Sequence, residues 1–263
     1  MQNKSFEEKD YTNTWRYIPP IEASGAMQMA IDRFLLEQHR LGKSPPAIRF
    51  YTWLPAAISL GYHQKDYPKS WQNLTWQGRA LDIVRRPTGG RAVLHQGDLT
   101  YAVVMSISPG KRLEVYKQIC QFLIAGWRSL GVDLDYGTAT KEYIHHDNCF
   151  ATATGSDLVT TAGNKVIGSA QLRRGKVVLQ HGSMMLNTDP NLYQQIFKTT
   201  LEEDLLTNFK QKDDGGKHYR KLPGDRDKII QNLIQAAIST FKIDIVKQPL
   251  STEEWQYVAS ELS

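Results

Sequence analysis

Between Gly25 and His39 apolar residues recur at helical spacing, at Met27, Ile31, Phe34 and Leu35, and Ser24 stands where an N-cap is needed. The pattern predicts a first helix there. From Ala47 to Tyr62 the period changes: IRFYTW and AISLGY read as two short strands divided by Pro55, whose missing amide proton interrupts a ladder. LDIVRR and RAVLHQ read as strands joined by Pro87-Thr88-Gly89-Gly90, and Gln96-Gly97-Asp98 turns the chain into LTYAVVMS. Helical spacing returns from Arg112 to Gly131 through Val115, Ile119, Phe122, Trp127 and Leu130.

From Asp157 three β segments follow, DLVTT, KVIGSAQLRR and KVVLQHGSMML, separated by the turns Ala162-Gly163-Asn164 and Arg174-Gly175. The remainder reads as helical, with Ile229, Leu233, Ile234, Ala237, Ile238 and Phe241 on one face. Ser251 and Glu254 make a capping-box start for a last short helix. Strand runs and helices segregate rather than alternate, which predicts an α+β fold. No linker interrupts the chain, so residues 1–263 are expected to form a single domain. The polar stretch 210–216 reads as a mobile surface loop.

Composition adds exclusions. Hydrophobic residues make up 41% of the chain, and no run approaches the roughly 20 apolar residues of a membrane span. The first eleven residues mix Glu and Lys without an apolar core, so neither a secretory signal nor a transit peptide is expected and a cytoplasmic location follows. The net charge of +5 comes from dispersed Lys and Arg rather than an aromatic-laced stripe, which favours acidic protein partners over nucleic acid. Two cysteines, Cys120 and Cys149, are too few for a disulfide framework.

Cys120 lies beside Ile119 and Phe122 in a periodic apolar setting and reads as core. Cys149 lies in a short, polar, loop-like segment, Asn148-Cys149-Phe150, the setting in which reactive thiols are found. The Gly-rich segment RRPTGGRAVLH can seat a ligand against bare backbone, although a β-hairpin turn explains two glycines equally well. Lys165, at a strand start, reads by itself as a solvated edge charge. If it lies near Cys149, a cation at about 4 Å contributes on the order of 4 kcal/mol at an effective dielectric near 20, which is about three pKa units of a thiol.

Other chemistries lack their residues. No GxxxxGK[ST], GxGxxG or GxSxG motif is present. The cluster His145-His146-Asp147-Cys149 lacks the second half of a tetrahedral ligand set, so no metal is expected. His181 reads as a packed or hydrogen-bonded strand histidine.

Together the segments WRYI, MAIDRFLL, PAIRFYTWLPAAISLGYHQ, RRPTGGRAVLHQGDLTYAVV, the Cys149-Phe150 pair and GNKVIGSAQLRRGKVVLQHGSMML resemble the biotin/lipoate protein ligase superfamily, and within it the cysteine-dependent octanoyltransferases of the LipM type. The resemblance implies a class II biotin/lipoate protein ligase-like catalytic domain, a mixed β-sheet with flanking helices and a tunnel for a medium-length acyl chain. It assigns Arg86, Gly89, Gly90, Arg91 and His95 to an acyl-binding motif, Cys149 to the acyl-thioester nucleophile and Lys165 to its activation. Gly168, Ser169, Ala170 and Gln171 would line the same pocket. The match at Lys165 requires the turn Ala162-Gly163-Asn164 to absorb an extra residue.

The activity so implied is octanoyl transfer from octanoyl-acyl carrier protein, through Cys149, to a lysine of a lipoyl-domain protein such as glycine cleavage H protein or a 2-oxoacid dehydrogenase E2, without a cofactor. The alternative on the same fold is an ATP-dependent lipoate-protein ligase, using ATP and Mg, in which Lys165 contacts an acyl-adenylate. The loop cysteine favours transfer, and the absence of room for an extra C-terminal domain points the same way. A non-catalytic scaffold is disfavoured because all three motif segments are intact.

Overall fold

A computed structural model of the chain describes residues 13–137, 157–201, 209–210, 219–220 and 225–262. Strand β1 (Thr14–Ala23) leads into α1 (Gly25–Arg40), whose start is fixed by Ser24 accepting a hydrogen bond from the Met27 amide at 3.3 Å. The chain returns as β2 (Ala47–Trp53), parallel to β1. β1 was not legible as a strand because Pro19 and Pro20 interrupt it. The register with β2 slips between Ile18 and Ile21, and the prolines, which cannot donate to a ladder, sit at that irregularity.

After β2 the chain leaves the main sheet. β3 (Ala57–Leu60) pairs on one side with β6 (Asp82–Arg85) and on the other with β7 (Val93–His95), forming a separate three-stranded sheet; β4 (Thr75–Trp76) and β5 (Arg79–Ala80) make a small hairpin between them. This corrects the expected pairing. LDIVRR and RAVLHQ are not joined as a hairpin: they flank β3, and the segment 86–92 between them passes over its end. Contact there is so close that a Cβ on Gly61 would fall 1.7 Å from the Gly90 carbonyl oxygen, and Gly90 itself has φ +99°.

The chain then re-enters the main sheet through β8 (Leu99–Ser106), followed by α2 (Arg112–Ser129), β9 (Leu134–Tyr136), β10 (Leu158–Thr160), β11 (Lys165–Arg174) and β12 (Val177–Met184). Then come α3 (Pro190–Phe197), the paired β13 (Phe209–Lys210) and β14 (Tyr219–Arg220), α4 (Arg226–Phe241), β15 (Asp244–Lys247) and α5 (Thr252–Ser260). The strand order in the main sheet is β15-β1-β2-β8-β12-β11-β10-β9, mixed as expected. Ser251 and Glu254 form the anticipated capping box of α5. Buried Arg16 of β1 holds that helix down through two contacts of 2.7 Å to Glu254.

Helices cover both faces of the sheet. Ile119, Phe122, Leu123 and Trp127 of α2 and Ile229, Leu233 and Ala237 of α4 share one apolar cluster with the strands. Ile31, Phe34 and Leu35 of α1 and Val258 of α5 belong to a second, on the other face. A third cluster joins Ile58 and Leu94 of the small sheet to Trp71 and to Leu192 and Ile196 of α3. Among the described residues no helix is long and apolar enough to cross a membrane. Apart from Lys210, the stretch read as a surface loop lies outside the described residues.

Candidate active site

A cavity of about 390 Å³ opens between the small sheet and the main sheet. Arg86, Gly89, Gly90 and His95 from the glycine segment line it, and so do Gly168, Ser169, Ala170 and Gln171 of β11. Two segments far apart in sequence thus face one space. Trp53, Val93, Leu113 and Met29 supply apolar wall. Arg91 is not on this wall; its carbonyl instead accepts a hydrogen bond from Arg86 Nη2 at 2.7 Å.

The turn is held by buried polar groups. Arg86 donates to the Gly89 carbonyl at 2.9 Å through Nη2 and to the Ser59 carbonyl at 2.8 Å through Nη1, fastening the turn to β3. Asp98 can only accept, so His95 Nδ1 carries the proton it donates to Asp98 Oδ2 at 2.8 Å. Burial pushes the His95 pKa down, and that outweighs the opposing pull of Asp98. With the ring neutral, its Nε2 accepts from the Ser59 hydroxyl at 2.8 Å. The same Asp98 oxygen accepts from Thr100 at 3.0 Å and Ser183 at 2.7 Å. Trp53 stacks on the imidazole with ring centroids 3.8 Å apart.

A second carboxylate–imidazole pair anchors the turn from the other side. Thr88 Oγ1 lies 2.6 Å from His181 Nε2, and His181 Nδ1 lies 2.7 Å from Asp32 Oδ2. Arg49 Nε reaches Asp32 Oδ1 at 2.9 Å and the Tyr51 hydroxyl donates to Oδ2 at 3.1 Å. Burial raises the Asp32 pKa, but Arg49 and His181 together overcome it and hold the carboxyl below its ordinary value. His181 is therefore the hydrogen-bonded strand histidine expected, and it also faces the cavity. The network itself was not anticipated. Its signal was Gln28 and Asp32, four residues apart among the apolar positions of α1, where a solvated face would not place them.

Lys165 is not a solvated edge charge. β11 is an interior strand, Lys165 is 5% exposed, and its Nζ lies 3.0 Å from Oδ1 of Asp157, itself 3% exposed and on the cavity wall. The turn expected at 162–164 is present, with Gly163 at φ +89°. Beside it the β10–β11 register slips, from Leu158 opposite Ile167 to Val159 opposite Lys165, so the strand pairing takes up a residue next to the lysine.

Cys120 is buried core, as expected, with its sulfur accepting from Gln180 Nε2 at 3.3 Å. Burial pushes its thiol pKa up to about 12, which removes it as a nucleophile near neutrality. Cys149, together with His145, His146, Asp147, Asn148 and Phe150, lies outside the described residues.

Comparison with known proteins identifies the family. Residues 24–214 match the family model of the lipoyl protein ligase A/B catalytic domain. The chain is 36% identical over 255 residues to octanoyltransferase LipM of Brevibacillus brevis, covering 91% of both chains. It is 38% identical over 213 residues to octanoyltransferase LipM of Bacillus subtilis, covering 76% of each. In fold it is similar to a lipoate-protein ligase A bound with ATP, at a TM-score of 0.73, 20% identity and coverage of 95% of this chain and 94% of that one. The putative lipoate protein ligase Ta0514 of T. acidophilum with bound lipoic acid gives a TM-score of 0.71 at 21% identity, with coverage of 95% and 94%. This chain belongs to the lipoyl protein ligase A/B catalytic domain family.

Proposed function

We propose that the protein is an octanoyltransferase of lipoyl biosynthesis, which takes an octanoyl group from octanoyl-acyl carrier protein and passes it to a lysine of a lipoyl-domain protein, in a cytoplasmic setting. The carrying observation is kinship with octanoyltransferases across about nine tenths of the chain. The convergence of RRPTGGRAVLH and GSAQ on one cavity supports the acyl site.

In this reading Cys149 gives up its proton to solvent, its thiolate attacks the donor's thioester carbonyl, the carrier's sulfur leaves as a thiolate that takes up a proton from solvent, and an acyl-enzyme thioester forms. The acceptor lysine's neutral amine then attacks that carbonyl, forming the amide and releasing the Cys149 thiol. Thioester exchange is nearly balanced and amide formation is downhill, so no ATP is consumed. Arg86, Gly89, Gly90, His95 and the 168–171 segment hold the acyl group, and Arg91 serves the turn through its backbone. Lys165 supplies positive charge to the thiolate. Its pairing with Asp157 fixes the ammonium in place and weakens its field at a distance, so the shift it gives the thiol is smaller than that of a lone cation.

Incubation with octanoyl-acyl carrier protein without ATP is expected to add one octanoyl group that hydroxylamine removes, and Cys149→Ser to abolish it. Loading that requires ATP and survives the substitution establishes the ligase alternative instead.

A further inference from the structure

Behind the glycine turn a second pocket of about 260 Å³ lies between α1, β6 and β11, and Arg86 lines both it and the acyl cavity. Three further arginines line this pocket from three different elements: Arg33 of α1, Arg85 of β6 and Arg174 of β11. Tyr62, 58% exposed, completes it. The carboxylate on its wall, Glu37, is already bound to Arg40 at 2.7 Å. None of Arg33, Arg85 and Arg174 pairs with a carboxylate among the described residues. Arg85 places Nη1 on the Gly61 carbonyl at 3.0 Å and on the Gln64 carbonyl, which leaves its other edge for a ligand.

Arg33, Arg85 and Arg174 are all exposed, so solvent screens part of their mutual repulsion, and an anion on the concavity removes the rest. Guanidinium forks match the spacing of phosphate oxygens, and several of them around a small pocket suit the four oxygens of a phosphate monoester or diester better than the two of a carboxylate. The volume accommodates a phosphate and a short tether but not a folded peptide segment.

We propose that this pocket is a phosphate-ester site in which Arg33, Arg85 and Arg174 bind the phosphate, with the Tyr62 hydroxyl beside it. The phosphate belongs either to a free phosphorylated small molecule or to the ester that tethers a thioester-bearing arm to its carrier; the second source rests on the octanoyl-carrier reading above.

The first measurement is titration of the full-length protein with inorganic phosphate at constant ionic strength, with chloride as control. Saturable binding is expected, weakened about tenfold or more in Arg33→Ala/Arg174→Ala, as loss of charge-assisted hydrogen bonds requires. Arg85→Gln, on a different element, gives an independent reading if the double variant does not fold. Phosphate binding equal to that of chloride, or unchanged in both variants, overturns the proposal.

The second measurement compares transfer from an octanoyl-pantetheine thioester with and without its terminal phosphate. A lower KM for the phosphorylated donor, lost in the double variant while kcat on the unphosphorylated donor stays unchanged, assigns the phosphate to the donor arm. Phosphate binding with equal KM values supports a free phosphorylated ligand. Absence of transfer from either donor and from the carrier protein sinks the octanoyltransferase reading and leaves the anion site to stand on the titration.

Discussion

Lys165 Nζ and Asp157 Oδ1 lie 3.0 Å apart with both side chains buried, one at the start of an interior strand and the other on the wall of the cavity between the two sheets. Breaking such a pair by removing one partner costs about 3–5 kcal/mol, because the remaining charge stays buried without this counter-ion. Lys165→Met and Asp157→Asn are each expected to lose stability on that scale in urea unfolding, and Lys165→Met/Asp157→Leu to lose less than either. Additive losses in the double variant would show that the two groups do not act as a pair.

The same lysine bears on reactivity. Lys165→Met is expected to move the iodoacetamide rate profile of the Cys149 thiol to higher pH, since a thiolate near less positive charge is harder to form. An unchanged profile removes Lys165 from thiol activation, whatever its effect on stability.

His95 makes folding sensitive to mild acid. Its folded pKa is depressed below 6.5 by burial, so below pH 6.5 the unfolded chain binds a proton that the folded chain refuses. Stability contributed by the neutral ring is fully present above pH 6.5 and is lost as pH falls through the folded value. Unfolding free energies measured from pH 7.5 to 5 are expected to decline, and His95→Gln to flatten that decline. An equal slope in the variant would assign the acid sensitivity to another group.

The glycines at and against the turn are not equivalent. A Cβ on Gly61 meets the Gly90 carbonyl oxygen at 1.7 Å, whereas a Cβ on Gly89 meets nothing within 4 Å. Gly61→Ala is expected to displace the turn and lose about 1–3 kcal/mol, the cost typical of overpacking. Gly89→Ala is expected to stay within about 0.5 kcal/mol of the parent. Chemical denaturation of the two variants side by side checks both.

Much of this was legible in the sequence, for physical reasons that differ by element. Ser24 and the Ser251–Glu254 box mark helix starts because a cap is a local hydrogen-bonding event, complete within four residues. β8, β11 and β12 were readable as extended segments. Pairing is not local, however: nothing within LDIVRR or RAVLHQ says that β3 runs between them, and the hairpin expectation failed there. β1 hid behind Pro19-Pro20, which a bulge accommodates at small cost once β2 and β15 supply its neighbours. The site residues came from motif resemblance rather than from spacing. Asp157 was missed because a lone acid ahead of a β-like segment carries no signature until the fold brings Lys165 to it.

Because the cavity beside the glycine turn lies between two sheets, its occupant bridges them. Met29, Tyr51 and Ser169 belong to the main sheet and its covering helix, and Ser59, Val93 and His95 to the small sheet. A ligand held there adds to the ties that Trp53 with His95 and Thr88 with His181 already make between the sheets, and its affinity becomes a reservoir of folding free energy. At a ligand concentration 100 times its Kd the gain is about 2.7 kcal/mol. Cells short of that ligand would then hold a less durable protein, so its supply would govern how much of this protein persists.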